Sequence, residues 1–261
     1  MRSQTIILSS NSSDFITNFP TTIRLNPNKK YEAALLSIDL YNSFPNITVK
    51  NNIFKYSTDN GSTWKIIRIA KGSYELSAIN DEVQRLMVIH GDYDNINNKF
   101  YITISANTSK LSSIIEITNQ SYQIDFTVEN SIGATLGFQK VIINNGYNES
   151  QNIIDIMKIN SILVNIDIIS GSYVNGSQCP VIYSFYPNVS PEYKIVERPN
   201  PSLIYYRVNI PNISRIRLWL TDQDNNPVDV RGERVTARIV VREVKQTIKN
   251  AIKELKEENI L

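Results

Sequence analysis

At 261 residues and a formal charge of +2, the chain is long enough to bury a sizeable core and gives no global electrostatic case for nucleic-acid binding. Its 41% hydrophobic and 20% charged content argue against disorder. One cysteine, Cys179, and one histidine, His90, exclude an intramolecular disulfide, a cysteine-rich metal site and a histidine-cluster zinc site.

The chain opens with a short β run, Thr5–Leu8, and a Ser/Asn loop. That run is too short for a signal-peptide core or a bilayer span, so synthesis in a reducing cytoplasm or nucleus is expected, without secretion or a membrane segment. The Asn-x-Ser/Thr sequons from Asn11 to Asn212 then follow from Asn/Ser richness rather than from glycosylation. Thr21–Leu25 and Tyr31–Leu40 read as strands, and an aromatic–Pro–Asn break follows at 41–47. Ile53–Ser57 and Trp64–Ile69 flank Asn60-Gly61, a strong hairpin signal.

The period then changes. Ile79, Val83, Leu86 and Met87 form one helical face, predicting a helix from Ser77, as N-cap, to Ile89, ended by Gly91. Phe100–Ser105, Ser113–Thr118 and Tyr122–Val128 return to β, and Ile132–Phe138 reads as a bend. Ile153–Ile159 and Ile162–Ile169 are further apolar β runs, and Gly171–Gly176 is a loop.

Near the end, Val181–Tyr186 and Leu203–Val208 are apolar and aromatic. Ile213–Leu220 and Val235–Val241 alternate with period two, as half-buried antiparallel strands do. Asp224-Asn225-Asn226-Pro227 lies between them, so they are expected to pair as a hairpin in the middle of a sandwich. After Arg242 the period is helical, with Val244, Ile248, Ile252 and Leu255 on one face. The predicted organisation is a β domain over 1–242 with a helix inserted near 77–89, and a C-terminal amphipathic helical tail over 243–261.

No constellation carries catalysis. Asp222, Asp224, Asn226 and Glu233 fall at EF-hand ligand positions, but Pro227 stands where the loop needs Gly, and the flanks read as strands. Arg231-Gly232-Glu233 lacks the Asp of an integrin-type tripeptide and reads as a turn. His90 has no nucleophile placed beside it by any motif. Cys179, before Pro180, reads as a buried small hydrophobe. Gly171–Gly176 and Gly133–Gly137 lack a phosphate-loop context. Lys245, Lys249, Lys253 and Lys256 are interleaved with Glu243, Glu254, Glu257 and Glu258, as on a solvated helix face. No catalytic residue, metal site, cofactor, small-molecule substrate or direct nucleic-acid site is assigned.

Three stretches carry a resemblance. LSSNSSDFITNFPTTIRLNPNKKYEAALLSIDLYNSFPNI, the Gly72-Ser73-Tyr74 element before the predicted helix, and LTDQDNNPVDVRGERVTARIVVR resemble penton-type minor capsid proteins of Polinton/Maverick elements and adintoviruses. The resemblance implies an all-β, antiparallel jelly-roll sandwich, with extra strands beyond the usual eight lying in long loops. It also implies a non-enzymatic virion protein, a homopentamer at icosahedral vertices beside a major double jelly-roll capsid protein. Two other readings compete. One is a β-sandwich receptor- or carbohydrate-binding module, a fibre or spike head, using Tyr93, Tyr147, Tyr173 and Tyr193. The other is a β-rich hydrolase using Asp222, Asp224 or Asp229.

Overall fold

The computed structural model describes residues 3–199 and 202–244. Three strands open the chain: β1 (Ser3–Ser10), β2 (Asp14–Arg24) and β3 (Tyr31–Tyr41). A middle segment holds β4 (Ile53–Ser57), β5 (Lys65–Arg68), the helix α1 (Leu76–Ile89), β6 (Ile102–Asn107), β7 (Ser112–Ile117), β8 (Gln123–Asp125), β9 (Ile142–Ile143) and β10 (Gly146–Glu149). The last part holds β11 (Ile162–Ile166), β12 (Ile169–Ser170), β13 (Ser172–Val174), β14 (Ser177–Cys179) and β15 (Val181–Phe185). It continues through β16 (Lys194–Glu197), β17 (Tyr206–Val208), β18 (Asn212–Asp222) and β19 (Val235–Glu243).

The chain divides into two compact units. Unit 1 is built from the described parts of Met1–Asn42 and Ile159–Leu261, and unit 2 is Ser43–Lys158. The sequence reading expected one β domain over 1–242, with the surplus strands in long loops. The strands β4–β10, in the long connection between β3 and β11, sit together in unit 2 around their own apolar core. The tail over 243–261 lies outside the described residues beyond Val244.

Unit 1 is an all-β jelly roll, and its own pairings show it. One sheet runs β1-β19-β3-β17-β12, with β16 also on β3; the other runs β15-β11-β18-β2. The first strand pairs with the last, the second with the next to last, and β3 with β16 and β17. Every named pairing is antiparallel. This outside-in wrapping of two sheets is jelly-roll wiring. Alternate residues feed the core: Ile6 and Leu8 from β1, Val235, Ala237, Ile239 and Val241 from β19, and Ile216, Leu218 and Leu220 from β18 are buried.

β18 and β19 do not form the hairpin that their sequence suggests. β18 lies between β11 and β2, while β19 lies between β1 and β3 in the other sheet. Both edges of each strand are taken, so the connection at 223–234 crosses from sheet to sheet. The period-two pattern fixes which face a strand buries, not which strand lies beside it. Leu203–Val208 is likewise shorter than expected, with only Tyr206–Val208 in the ladder.

Unit 2 contains the sheets β5-β4-β8-β9 and β10-β7-β6, and α1 packs on β6 and β5. The helix buries Ile79, Val83 and Met87, as their spacing predicts. Its N-cap lies two residues earlier than expected, at Glu75 rather than Ser77, with no side-chain cap. It ends on His90, and Gly91 follows at φ +79°, the left-handed stop that glycine favours. Asn60 (φ 57°) and Gly61 (φ 81°) turn the chain between β4 and β5 as predicted. Ile153–Ile159 is not a strand. It joins no ladder, its amide bonds go to Leu111 and Thr135 carbonyls, and Ile153 and Met157 are exposed.

Cross-strand Lys55 and Asp125 form an ion pair at 2.8 Å on β4 and β8. Burial pushes the Asp125 carboxyl up, but Lys55 and the Thr127 donors together outweigh it and hold it below the usual carboxylate range. Thr63 and Ser57 donors hold Asp59 down at about 2. Both carboxyls are therefore depressed in the folded state. Their contribution is present above the unfolded carboxylate value of about 3.9 and is lost as pH falls through the folded values. The urea midpoint of unit 2 is expected to fall between about pH 4 and pH 2, and Asp125→Asn to flatten that fall. An unchanged pH profile in the variant would contradict this account.

Candidate interaction surface

A sheet that does not close leaves edge strands, and their unpaired backbone groups are templates for another chain. In unit 1 the two sheets end on β1 and β2 at one side, joined by the short loop 11–13. They end on β15 and on the β12 and β16 strands at the other.

β2 is the longer of the first pair of edges. Its eleven residues include none that is buried, although Phe15 and Phe19 are half-covered. Four residues, 19–22, stand opposite the single Ser214, so the ladder is interrupted there. Pro20 lies inside this interruption, where an edge strand tolerates the missing donor. On either side of it the strand is regularly paired with β18. Arg217 of β18 forks onto Asp14, with Nε at 2.9 Å and Nη2 at 2.6 Å from its two oxygens, and pins the start of β2. Arg217 holds the Asp14 carboxyl below its usual range. Ile16 is 49% exposed, and Ile7 on β1 is 61% exposed.

The opposite side carries its own apolar surface. Tyr186 after β15, Tyr193 before β16 and Val196 on β16 are exposed, and Tyr173 is exposed on the β13–β14 hairpin, which packs against β15. The phenol of Tyr183, on edge strand β15, donates to Glu197 at 2.8 Å; burial first, and then that carboxylate, pushes it up to about 12.

The sites considered from sequence fall elsewhere. Asp222 is a turn acceptor: its Oδ1 takes the amides of Asp224 at 2.9 Å and Asn226 at 2.8 Å, and the Asn226 side chain adds two further bonds. Asp229 takes the Arg231 amide at 2.8 Å, and Arg231 and Gly232 both turn with positive φ. These carboxylates hold up the crossing between β18 and β19. Among the described residues, no group of three or more His, Cys, Asp or Glu is placed to hold a metal ion.

Cys179 is not buried. It lies half-exposed in the short β13–β14 hairpin, which stands apart from the two main sheets. The four tyrosines are split, with Tyr173 and Tyr193 in unit 1 and Tyr93 and Tyr147 in unit 2, where Tyr93 packs on Phe100 at 4.7 Å.

The sequence reading missed the partner of His90. Its Nδ1 lies 2.9 Å from the hydroxyl of Tyr56, a fully buried residue whose phenol donates to Asp92 at 2.5 Å. Lys65 bonds both Asp92 oxygens, at 2.5 and 2.8 Å. Burial, followed by the Asp92 bond, pushes the Tyr56 phenol well above its usual range. The group lies at the edge of the core of unit 2, where Tyr56 is fully buried. Only the tertiary fold reveals it, because 34 residues separate Tyr56 from His90.

No protein-family model and no curated protein matches the sequence. Among solved structures, the chain is similar to the mavirus penton protein at 15% identity. The alignment covers 93% of this chain and 99% of that one, with a TM-score of 0.48. An alignment to the D2–D3 domains of the flagellar cap protein FliD from Escherichia coli covers 93% of this chain and 100% of that one, at 15% identity and a TM-score of 0.14. The jelly roll of unit 1 is fixed by its own strand pairings, and among the described residues no further strand pairs with the edges on either side.

Proposed function

We propose that this chain is a structural virion protein, a minor capsid subunit of penton type that assembles as a homopentamer at icosahedral vertices. The observation that supports it is the jelly roll of unit 1 with two unlike free edges. When two different surfaces of one subunit meet, the contact is heterologous, and repeating it closes a ring if the rotation allows. The β1–β2 side of one copy against the β15–β16 side of the next is such a contact. Ile7 and Ile16 on one side, and Tyr186 and Tyr193 on the other, are apolar groups it would cover. The major double jelly-roll capsid protein would then surround the ring. This reading assigns the chain to the virion and gives it no reaction.

Light scattering tests it. A mass five times that of the 29.8 kDa chain, with fivefold rings in negative stain, is the expected result. The exposed Tyr173, Tyr186 and Tyr193 favour a second reading, a receptor- or glycan-binding head. A trimeric mass with glycan-array binding would select that reading and reject the first.

A further inference from the structure

The outer face of the β19-β3-β16 region carries an open depression of about 330 Å³, lined by Leu36, Asp39, Lys194, Val196, Arg198 and Arg238, among others. Its construction follows from strand geometry. Lys194 stands opposite Tyr41, and Val196 opposite Asp39. Side chains alternate along an extended chain, so Lys194, Val196 and Arg198 share one face while Ile195 is buried on the other. Val196 is 47% exposed between its two cationic neighbours. Arg238 is held from β19 by Ser37 and Asp39, each at 3.0 Å. Among the described residues, Lys194 and Arg198 have no ion-pair partner. The depression therefore has three cations, one carboxylate already engaged and an apolar floor.

The spacing selects the ligand. Four residues of extended chain set the Cα atoms of Lys194 and Arg198 roughly 13 Å apart. One phosphate or one carboxylate would engage both only by drawing the two long side chains together. A second extended chain has the same repeat, so acids four positions apart, with an apolar residue midway, would meet both cations and Val196 together.

A copy of this chain does not supply that pattern. Its acidic residues occur four apart only at Asp125/Glu129, Asp229/Glu233 and Glu254/Glu258, and the midpoints are Thr127, Arg231 and Lys256. We propose that this face binds an extended segment of a different protein, carrying two acidic residues four positions apart around a central apolar one. This inference goes beyond the assembly reading and holds whatever the copy number.

The test is fluorescence anisotropy of the full chain with a labelled peptide, Gly-Glu-Thr-Ile-Thr-Asp-Gly. Wild type is expected to bind, with affinity falling as salt is added. Lys194→Glu and Arg198→Glu should each weaken binding about fivefold or more. Arg215→Glu, on an exposed position of the other sheet, should leave it unchanged. Thermal melts check that the variants fold. The proposal is overturned if wild type does not bind, or if the two reversals bind as wild type does. It is also overturned if a peptide with its acids adjacent binds equally, which would mean charge alone. Full displacement by inorganic phosphate at matched ionic strength would mean a small-anion site and would likewise overturn it.

Discussion

Phe126→Ala is expected to destabilise unit 2 by about 3–5 kcal/mol, the range for removing a fully buried aromatic ring. Phe126 is 1% exposed and sits at the centre of an aromatic cluster. Phe54 meets it edge-on at 6.3 Å between ring centres, and Phe138 lies at 5.2 Å. The chain approaches the ring closely on another side, where a Cβ on Gly133 would fall 2.7 Å from it. Rigid neighbours on several sides leave little room for collapse into the cavity, which places the cost at the upper part of the range. Calorimetry should show the transition of unit 2 lowered by more than about 10 °C for a unit of this size. A shift below about 1 kcal/mol would mean that the cluster does not carry the core.

The second large effect concerns assembly. Ile16→Lys places a charge near the start of the β2 edge, on its regularly paired first half, the device by which proteins keep edge strands from pairing. Ile16 is already half-exposed, so the isolated subunit should fold as before. If β2 is an interface strand, burying an unpaired ammonium there should cost about 2 kcal/mol or more per contact, as at an interface hot spot. Sedimentation velocity should then show monomer at concentrations where wild type is a ring. Rings that persist in the variant at wild-type concentration would remove β2 from the interface.

Much of unit 1 was legible strand by strand. The alternation of Val235–Val241 and of Ile216, Leu218 and Leu220 announced which side chains face inward. It could not announce their partners, because pairing choices are made across more than two hundred residues, as when Ser3 meets Arg242. The division into units was also hidden. The boundary at Asn42–Ser43 falls in the aromatic–Pro–Asn break at 41–47, but such a break marks any turn, and only the shared core of the strands beyond it separates the units. β2 was missed over its first half because an edge strand with no buried residue has little hydrophobic contrast to read.

The surface features were legible in the same partial way. Lys194, Val196 and Arg198 are visibly alternate, yet Arg238 joins them only because β19 lies beside β3 and β3 beside β16. The Tyr56–His90–Asp92–Lys65 group likewise depends on β4, β5 and the end of α1 meeting in unit 2. Cys179 was misplaced because its proximity to a strand suggested burial, while the strand it occupies belongs to an exposed hairpin.

The central claim is that unlike edges of neighbouring copies meet. It is tested most directly by cross-linking two single-cysteine proteins made in a Cys179→Ser background. One carries Asn18→Cys on the β2 edge, and the other Ser184→Cys on the β15 edge; both positions are exposed. With a short bis-maleimide, the account predicts covalent dimers when the two proteins are mixed and reassembled, and only monomer when either is treated alone. Dimers of the Asn18→Cys protein by itself, with none gained on mixing, would mean that β2 meets β2 across a twofold axis and would contradict the ring.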